Sequence, residues 1–389
     1  MSDLSDALIR HSVFIQRLIP SISKDVIKNI DSNNDELFLE LTKWLDNNDV
    51  YKLTEAQQRQ IDTLIKKISK TRGAAIQNAS DAYNDQMIEL GTKEQAFVAK
   101  TILEETGITL VLASTSSMER AVTYTPYDGA TLAQTFSSLA DSDAKRIVSE
   151  VQQGLSAGQT ESQIRRRIFG TKKLDQKDGI LQVTRNSINK IAINSGIVRT
   201  IITGVINSSR QQLFLKNDIE KYEIIATLDG RTTPVCRSED GNIYETGKGP
   251  IPPFHINCRT AIAPYFHDGI ETERPAITDT RTPKQRNLDF KKESRETGES
   301  VKDIRQRWKN KNISQVPSDT TYQKWLTEQT PAFQKEVLGK TKSELFRNGE
   351  LTLDRFVDPT GKEYTIPELY SLNRDAFRKA GIPKPKSKR

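Results

Sequence analysis

The chain of 389 residues contains two cysteines and three histidines. Both cysteines and one histidine fall in a single stretch. It opens with Asp229-Gly230-Arg231-Thr232-Thr233-Pro234-Val235-Cys236 and closes with Pro252-Pro253-Phe254-His255-Ile256-Asn257-Cys258-Arg259. Thiolate and imidazole are the donors zinc prefers, and a structural zinc site is normally a closed tetrahedron of four. Cys236, His255 and Cys258 supply three. The fourth would be Asp229, another carboxylate such as Asp240, or water, and three donors plus water is the arrangement of a catalytic zinc. The same residues also suit a metal-free loop packed by cysteine, histidine and proline, in which His255 hydrogen-bonds Asp229 or a carbonyl. A Cys-His pair can act as nucleophile and base, but the sequence supplies no recognisable orienting residue or oxyanion element. Arg259, directly after Cys258, is suited to pair with Asp229 or Asp240 and so clamp the two ends of the stretch. His267 is a reserve donor, and His11, beside apolar helix positions, reads as a surface or packing residue.

The elements that must position these groups are mostly helical. Ile9, Val13, Phe14 and Leu18 keep helical spacing, as do Leu37, Leu41, Trp44 and Leu45. A longer stripe follows in Ile61, Leu64, Ile65, Ile68, Ala75, Ile76, Ala79, Tyr83 and Met87. Its expected start is Thr54-Glu55 and its expected stop Gly107. Ile108 to Ala113, short and apolar, reads as a buried strand or a helix extension. Thr160 with Gln163 forms a capping box for a helix through Arg165–Arg167, and Ile180 to Ile206 reads as a long helix with Ala192, Ser195 and Gly196 along one side. Tyr222 to Thr227 alternates as a strand and delivers Asp229-Gly230, a tight-turn dipeptide, into the stretch. Residues 268–318 lose their apolar side chains and read as a charged linker or solvated arm. Apolar spacing returns from Asp319 to Tyr370. The expectation is a mainly α chain with a small β-containing motif region, an α+β protein of extended, multi-segment architecture. Its segments are 1–106 (helical), 107–266 (carrying the motif), 267–318 (linker or arm) and 319–389 (a small module with a basic tail).

Composition narrows the function classes. The chain is 35% apolar and 28% charged, with a mean hydropathy of −0.61, which suits exposed helices and surfaces made for partners. No apolar run approaches the ~20 residues that span a bilayer, and the acidic N-terminus lacks a secretion signal pattern. A net charge of +7 permits contact with nucleic acid without requiring it. Arg165, Arg166 and Arg167 with Lys172 and Lys173 form one basic cluster, and Lys384, Lys386, Lys388 and Arg389 form a tail. Each reads either as solvated surface or as a DNA or partner contact. Phosphate-loop, dinucleotide-binding and nucleophile-elbow patterns are missing.

The motif stretch resembles the head-morphogenesis domain of tailed bacteriophages, the family typified by the phage Mu F protein. The resemblance rests on Asp229, Arg231, Thr232, Pro234, Cys236, Asp240-Gly241, Pro252-Pro253, His255, Asn257, Cys258 and Arg259, and extends more loosely back to about residue 60. Tyr322, Trp325-Leu326 and Leu338-Gly339-Lys340-Thr341 are similar to a C-terminal module found in some of these proteins. The resemblance implies a minor head protein of the virion, present in few copies and assembled in the host bacterial cytoplasm. It implies association with the portal protein and other head proteins, and a role in assembly or genome delivery. Contact with packaged DNA would then be indifferent to sequence. It makes Arg231, Asp240, Gly241, Asn257 and Arg259 structural parts of the motif, and a reducing compartment argues against a Cys236–Cys258 disulfide. Some members carry a further cysteine where this chain has Thr233, a poor zinc ligand. The alternative is a metal-dependent hydrolase or nuclease built on Cys236, His255 and Cys258, but no general base can be identified for it.

Overall fold

The computed structural model describes residues 4–15, 55–126, 129–171, 178–182, 196–266, 273–277, 279, 281 and 283–385, with isolated positions at 21–22, 28, 39 and 42–43. The fold is mainly helical with two small antiparallel sheets. No helix of the described residues is long and apolar enough to cross a membrane. The stripe through Leu37 and Trp44, together with Lys172, Lys173, residues 183–195 and His267, lies outside the described residues.

Helix α1 is Leu4–Ile15, and α2 runs without a break from Glu55 to Thr106. At 1.5 Å per residue, α2 is about 78 Å long. It ends where Gly107 turns to φ +73° and donates its N–H to the Leu103 carbonyl, a left-handed stop that glycine adopts at no steric cost. From Ile68 onward the apolar stripe of α2 is buried, but against successive neighbours. Ile68 packs with Ile147 and Val151 of α4 (Leu132–Ser156) and Ile164 and Ile168 of α5 (Glu161–Phe169). Ile76, Ala79, Tyr83 and Met87 share a second core with α3 (Thr115–Tyr124), α4 and α6 (Ile197–Lys216). Val98 and Ile102 join a third, built with α1, the end of α6 and the first sheet. The helical N-terminal region and the motif region therefore share their cores.

Two local readings meet different outcomes. The capping box at Thr160 forms, with the Gln163 side chain and backbone both bonded to Thr160. Ile108 to Ala113 is neither strand nor helix. Ile108, Val111 and Leu112 are exposed, and the segment lies extended because Asn217 holds both polar backbone groups of Val111, at 2.7 and 2.8 Å.

The first sheet has the order β2-β1-β3, from β1 (Lys221–Ile225), β2 (Ile243–Glu245) and β3 (Ala261–Pro264). Tyr222 pairs with Tyr244, and Ile224 with Ile262. Residues 273–317, polar throughout, form strand, helix, helix, strand: β4 (Glu273–Ile277), α8 (Pro283–Thr297), α9 (Val301–Asn312) and β5 (Ile313–Pro317), with β4 and β5 paired. Most of the charge lies on the outer faces in ion pairs such as Arg281–Asp289 and Arg307–Glu293, while Phe290 and Ile304 are buried. Its composition signals a solvated surface around a thin core. The C-terminal module, from α10 (Tyr322–Thr327) through α14 (Arg374–Lys379), surrounds a core of Trp325, Leu326, Phe333, Leu345, Leu369 and Phe377.

Candidate functional site

The 229–259 stretch is the junction of all these parts. Strand β1 ends at Ile225, and the chain turns through Asp229-Gly230 into a short helix, α7 (Pro234–Glu239). Pro234 occupies the first turn of α7, where a missing N–H costs nothing. Cys236 is therefore a helical residue rather than part of a turn. After β2 the chain returns over Pro252-Pro253, joined by a cis peptide bond, and reaches His255 and Cys258 just before β3.

The ligand atoms of Cys236, His255 and Cys258 lie within 4.8 Å of one another. The sulfurs are 3.7 Å apart, and Cys236 Sγ is 3.1 Å from His255 Nε2. Zinc–sulfur bonds of about 2.3 Å in a tetrahedron would set two sulfurs about 3.8 Å apart, so the spacing of the two sulfurs suits a metal of this size. His255 Nδ1 donates to the Ile256 carbonyl at 2.7 Å, which turns the lone pair of Nε2 toward the sulfurs in the neutral ring. The hydrogen bond between the two sulfurs raises the Cys236 thiol well above its ordinary value, and burial adds to this. The same bond, with help from His255, holds Cys258 well below its own ordinary value. Burial disfavours charge on His255, but the hydrogen bond and charge of Cys258 overcome it and raise the ring. The arrangement gathers two sulfurs of unequal acidity and an imidazole around one point. The two cysteines are only 2% and 0% exposed, so the point is sealed from solvent on the sulfur side. The Thr233 hydroxyl is buried beside Cys236 and has no nitrogen or oxygen partner among the described residues.

Asp229 is not part of this donor group. Its two carboxylate oxygens accept one hydrogen bond each from the Arg259 guanidinium at 2.8 Å, and the Arg231 N–H adds a third at 2.9 Å. Burial alone would raise this carboxyl, but the Arg259 fork outweighs it and holds the group at about 2. Arg231, with an exposed side chain, lies at 3.3 Å on the outer edge. Asp240 is a second buried hub. It accepts from the Ala226 and Tyr322 backbone N–H groups, both at 2.6 Å, and from both terminal nitrogens of Arg274. Its partner is therefore Arg274 of β4, not Arg259. Gly241 sits at φ +83°, with its position packed against Thr321 of the C-terminal module. Asn257, at φ +64°, lies against Gly196 at the start of α6.

Sequence reasoning overlooked the residues of α6 that bind the returning strand. Thr200 accepts from the Asn257 N–H at 3.0 Å, and Thr203 donates to the Cys258 carbonyl at 2.9 Å. Asn207 donates to the Thr260 carbonyl and accepts from the Ile262 N–H, and Arg210 donates to the Ile262 carbonyl at 2.9 Å. Arg210 is fully buried, paired with the equally buried Glu94 of α2 at 2.7 Å, and reaches the Leu8 carbonyl and Ser12 hydroxyl of α1. His11 completes this group, 3.0 Å from Glu94 and stacked on Phe97. The signal was present: polar side chains at 200, 203, 207 and 210 recur with helical spacing along α6, so they share one face. Of the basic cluster, Arg167 is drawn to Glu150 at 2.6 Å, and Arg166 is exposed.

Residues 145–263 match the family described as Phage Mu protein F like protein, from within α4 to β3 and across the whole 229–259 stretch. This part of the chain is Mu F-like. No curated protein and no solved structure matches the chain.

The Asp229 carboxyl is depressed from an ordinary 3.8 to about 2, so the stability it contributes is complete above pH about 4 and lost as pH falls toward 2. Asp229→Asn leaves Arg259 buried without its counter-charge and should cost roughly 3–5 kcal/mol at neutral pH. It should also flatten the stability profile between pH 4 and 2. Urea unfolding at several pH values reads both effects, and a variant as stable as the parent at neutral pH would refute the clamp.

Proposed function

We propose that the protein is a minor head protein of a tailed bacteriophage, acting in head morphogenesis beside the portal. The match of residues 145–263 to the Mu F-like family carries this reading. The structure of the matched region supports a scaffolding role. Its polar side chains bind backbone groups and one another, and its two cysteines are closed to a substrate of any size. A hydrolase built on the same residues would need an accessible position and a base beside it. Exposed charge on α8 and α9 and on the Arg165–Arg167 helix offers surface to neighbouring head proteins and to DNA. In an infection with the gene disrupted by a nonsense codon, heads should be malformed or non-infectious. Mass spectrometry of particles from the parent phage should find the protein at a few copies each. Normal, infectious heads without it would rule the reading out.

Cys236, His255 and Cys258 hold a zinc ion in this reading, with the fourth position beside Thr233, and the ion joins α7 to the returning loop. Three protein donors bind less tightly than four, so Thr233→Cys should tighten zinc binding, while Cys258→Ala abolishes it. At zinc concentrations 1,000-fold above the dissociation constant, loading should stabilise the fold by about 4 kcal/mol. Melting with zinc and with chelator measures this, and a melting temperature indifferent to both, in parent and Thr233→Cys alike, would dismiss the ion.

DNA contact in this reading is made to phosphates by Arg165, Arg166 and Arg167 with Lys172 and Lys173. It should be indifferent to sequence and weaken steeply with salt, each lost phosphate contact reducing the slope of log K against log salt by about 0.9. Replacing Arg166, Lys172 and Lys173 by alanine should flatten that slope in mobility-shift titrations on unrelated duplexes. An unchanged slope would remove this cluster from the contact.

A further inference from the structure

A cavity of about 630 Å³ opens between α1, the Leu228–Arg231 turn, β4 and the α8–α9 pair. Its size falls in the range of built ligand sites, ~300–1,000 Å³. Ile9, Leu228, Ala276 and Phe290 make a buried apolar floor, and Phe14 and Ile313 extend it to exposed edges.

The charge around this floor has one sign. Arg10, Arg231, Arg259, Arg286, Arg305 and Lys309 all line the cavity, and Asp229, the one acid in the lining, is already held by Arg259 and Arg231. The acids nearest the rim are also engaged, Asp6 by Arg10 and Asp279 by Arg281 and Trp308. Arg286 is 7% exposed, and one of its terminal nitrogens donates to the Asp279 and Arg281 carbonyls. The rest of its guanidinium has no hydrogen-bond partner among the described residues. A mostly buried guanidinium with donors left over beside an apolar cavity suits an anionic group.

We propose that this cavity is a receptor for an acidic peptide segment of a partner protein, one that inserts a large apolar side chain and sets its carboxylates against Arg286, Arg305 and Lys309. Nucleic acid suits the site less well. Single strands bind along grooves that track phosphates past open aromatic faces. This is a single depression, and the Trp308 ring is covered by Arg286 at 4.9 Å and flanked by the edge of Phe290. The assignment rests on the cavity itself and is independent of the phage reading.

The test uses the full chain and fluorescence anisotropy with three labelled pentapeptides, each bearing acidic residues on both sides of a central Phe, a central Ala, or replaced throughout by Lys around Phe. Oligothymidylate serves as competitor. The acidic Phe peptide should bind at least tenfold more tightly than the other two. Arg305→Glu with Lys309→Glu, both on the outer part of α9, should weaken it at least tenfold, whereas Arg378→Glu, outside the lining and 82% exposed, should not. Circular dichroism confirms that the variants are folded, and Arg286→Met gives a second reading from inside the cavity. Equal binding of the Ala peptide, failure of the acidic Phe peptide to bind, indifference to the α9 reversal, or displacement by oligothymidylate at equal affinity would each overturn the proposal.

Discussion

The centre of the molecule depends on a carboxylate that is both buried and charged. Asp229 is 1% exposed, and only the bidentate contact with Arg259, supported by the Arg231 N–H, makes its charge tolerable there. That contact joins the two ends of the 229–259 stretch and so fixes the loop on which both cysteines and His255 sit. The same residue binds outward through its backbone, since its carbonyl accepts from the Tyr322 hydroxyl at 2.8 Å. Asp240 repeats the arrangement eleven residues on, linking Ala226, Arg274 and Tyr322. Two acids thus bring the first sheet, the β4–β5 unit and the C-terminal module into register.

Much of this was legible in the sequence, for a physical reason. Rare residue types carry information when they cluster, and the gathering of Cys236, His255 and Cys258 is what their concentration in the chain suggests. Long periodic stripes are equally readable, and α2 begins at Glu55 and ends before Gly107 as its pattern requires. Arg259 was recognisable as a clamp, although the sequence left Asp229 and Asp240 equivalent as its partner. Only the fold separates them, by placing Arg274 against Asp240.

What sequence reading missed shares one cause, that contacts between distant segments leave no local mark. Ile108 to Ala113 has strand chemistry, but an asparagine 106 residues away in sequence holds the backbone of Val111 in place of a strand partner. Asp229 looked like a fourth metal donor because it is near the cysteines in the motif, yet the guanidinium beside it takes both oxygens. Residues 268–318 read as a charged linker or solvated arm because the few apolar residues that are buried there, such as Phe290 and Ile304, are averaged away by composition.

The reach of Arg210 to α1 has a consequence for how the chain is made. Leu8 and Ser12 are about 200 residues ahead of the arginine that binds them, and their helix packs on the Ile224–Ile262 core. A ribosome adding 5–20 residues per second needs about 10–40 s to cover that distance. For that interval the apolar face of Leu4, Leu8 and Ile9 waits for a binding surface of which α2 supplies only the first part. Helix α1 is thus made well before the residues that complete its seat, and during synthesis its apolar face is open to a chaperone or to a wrong partner.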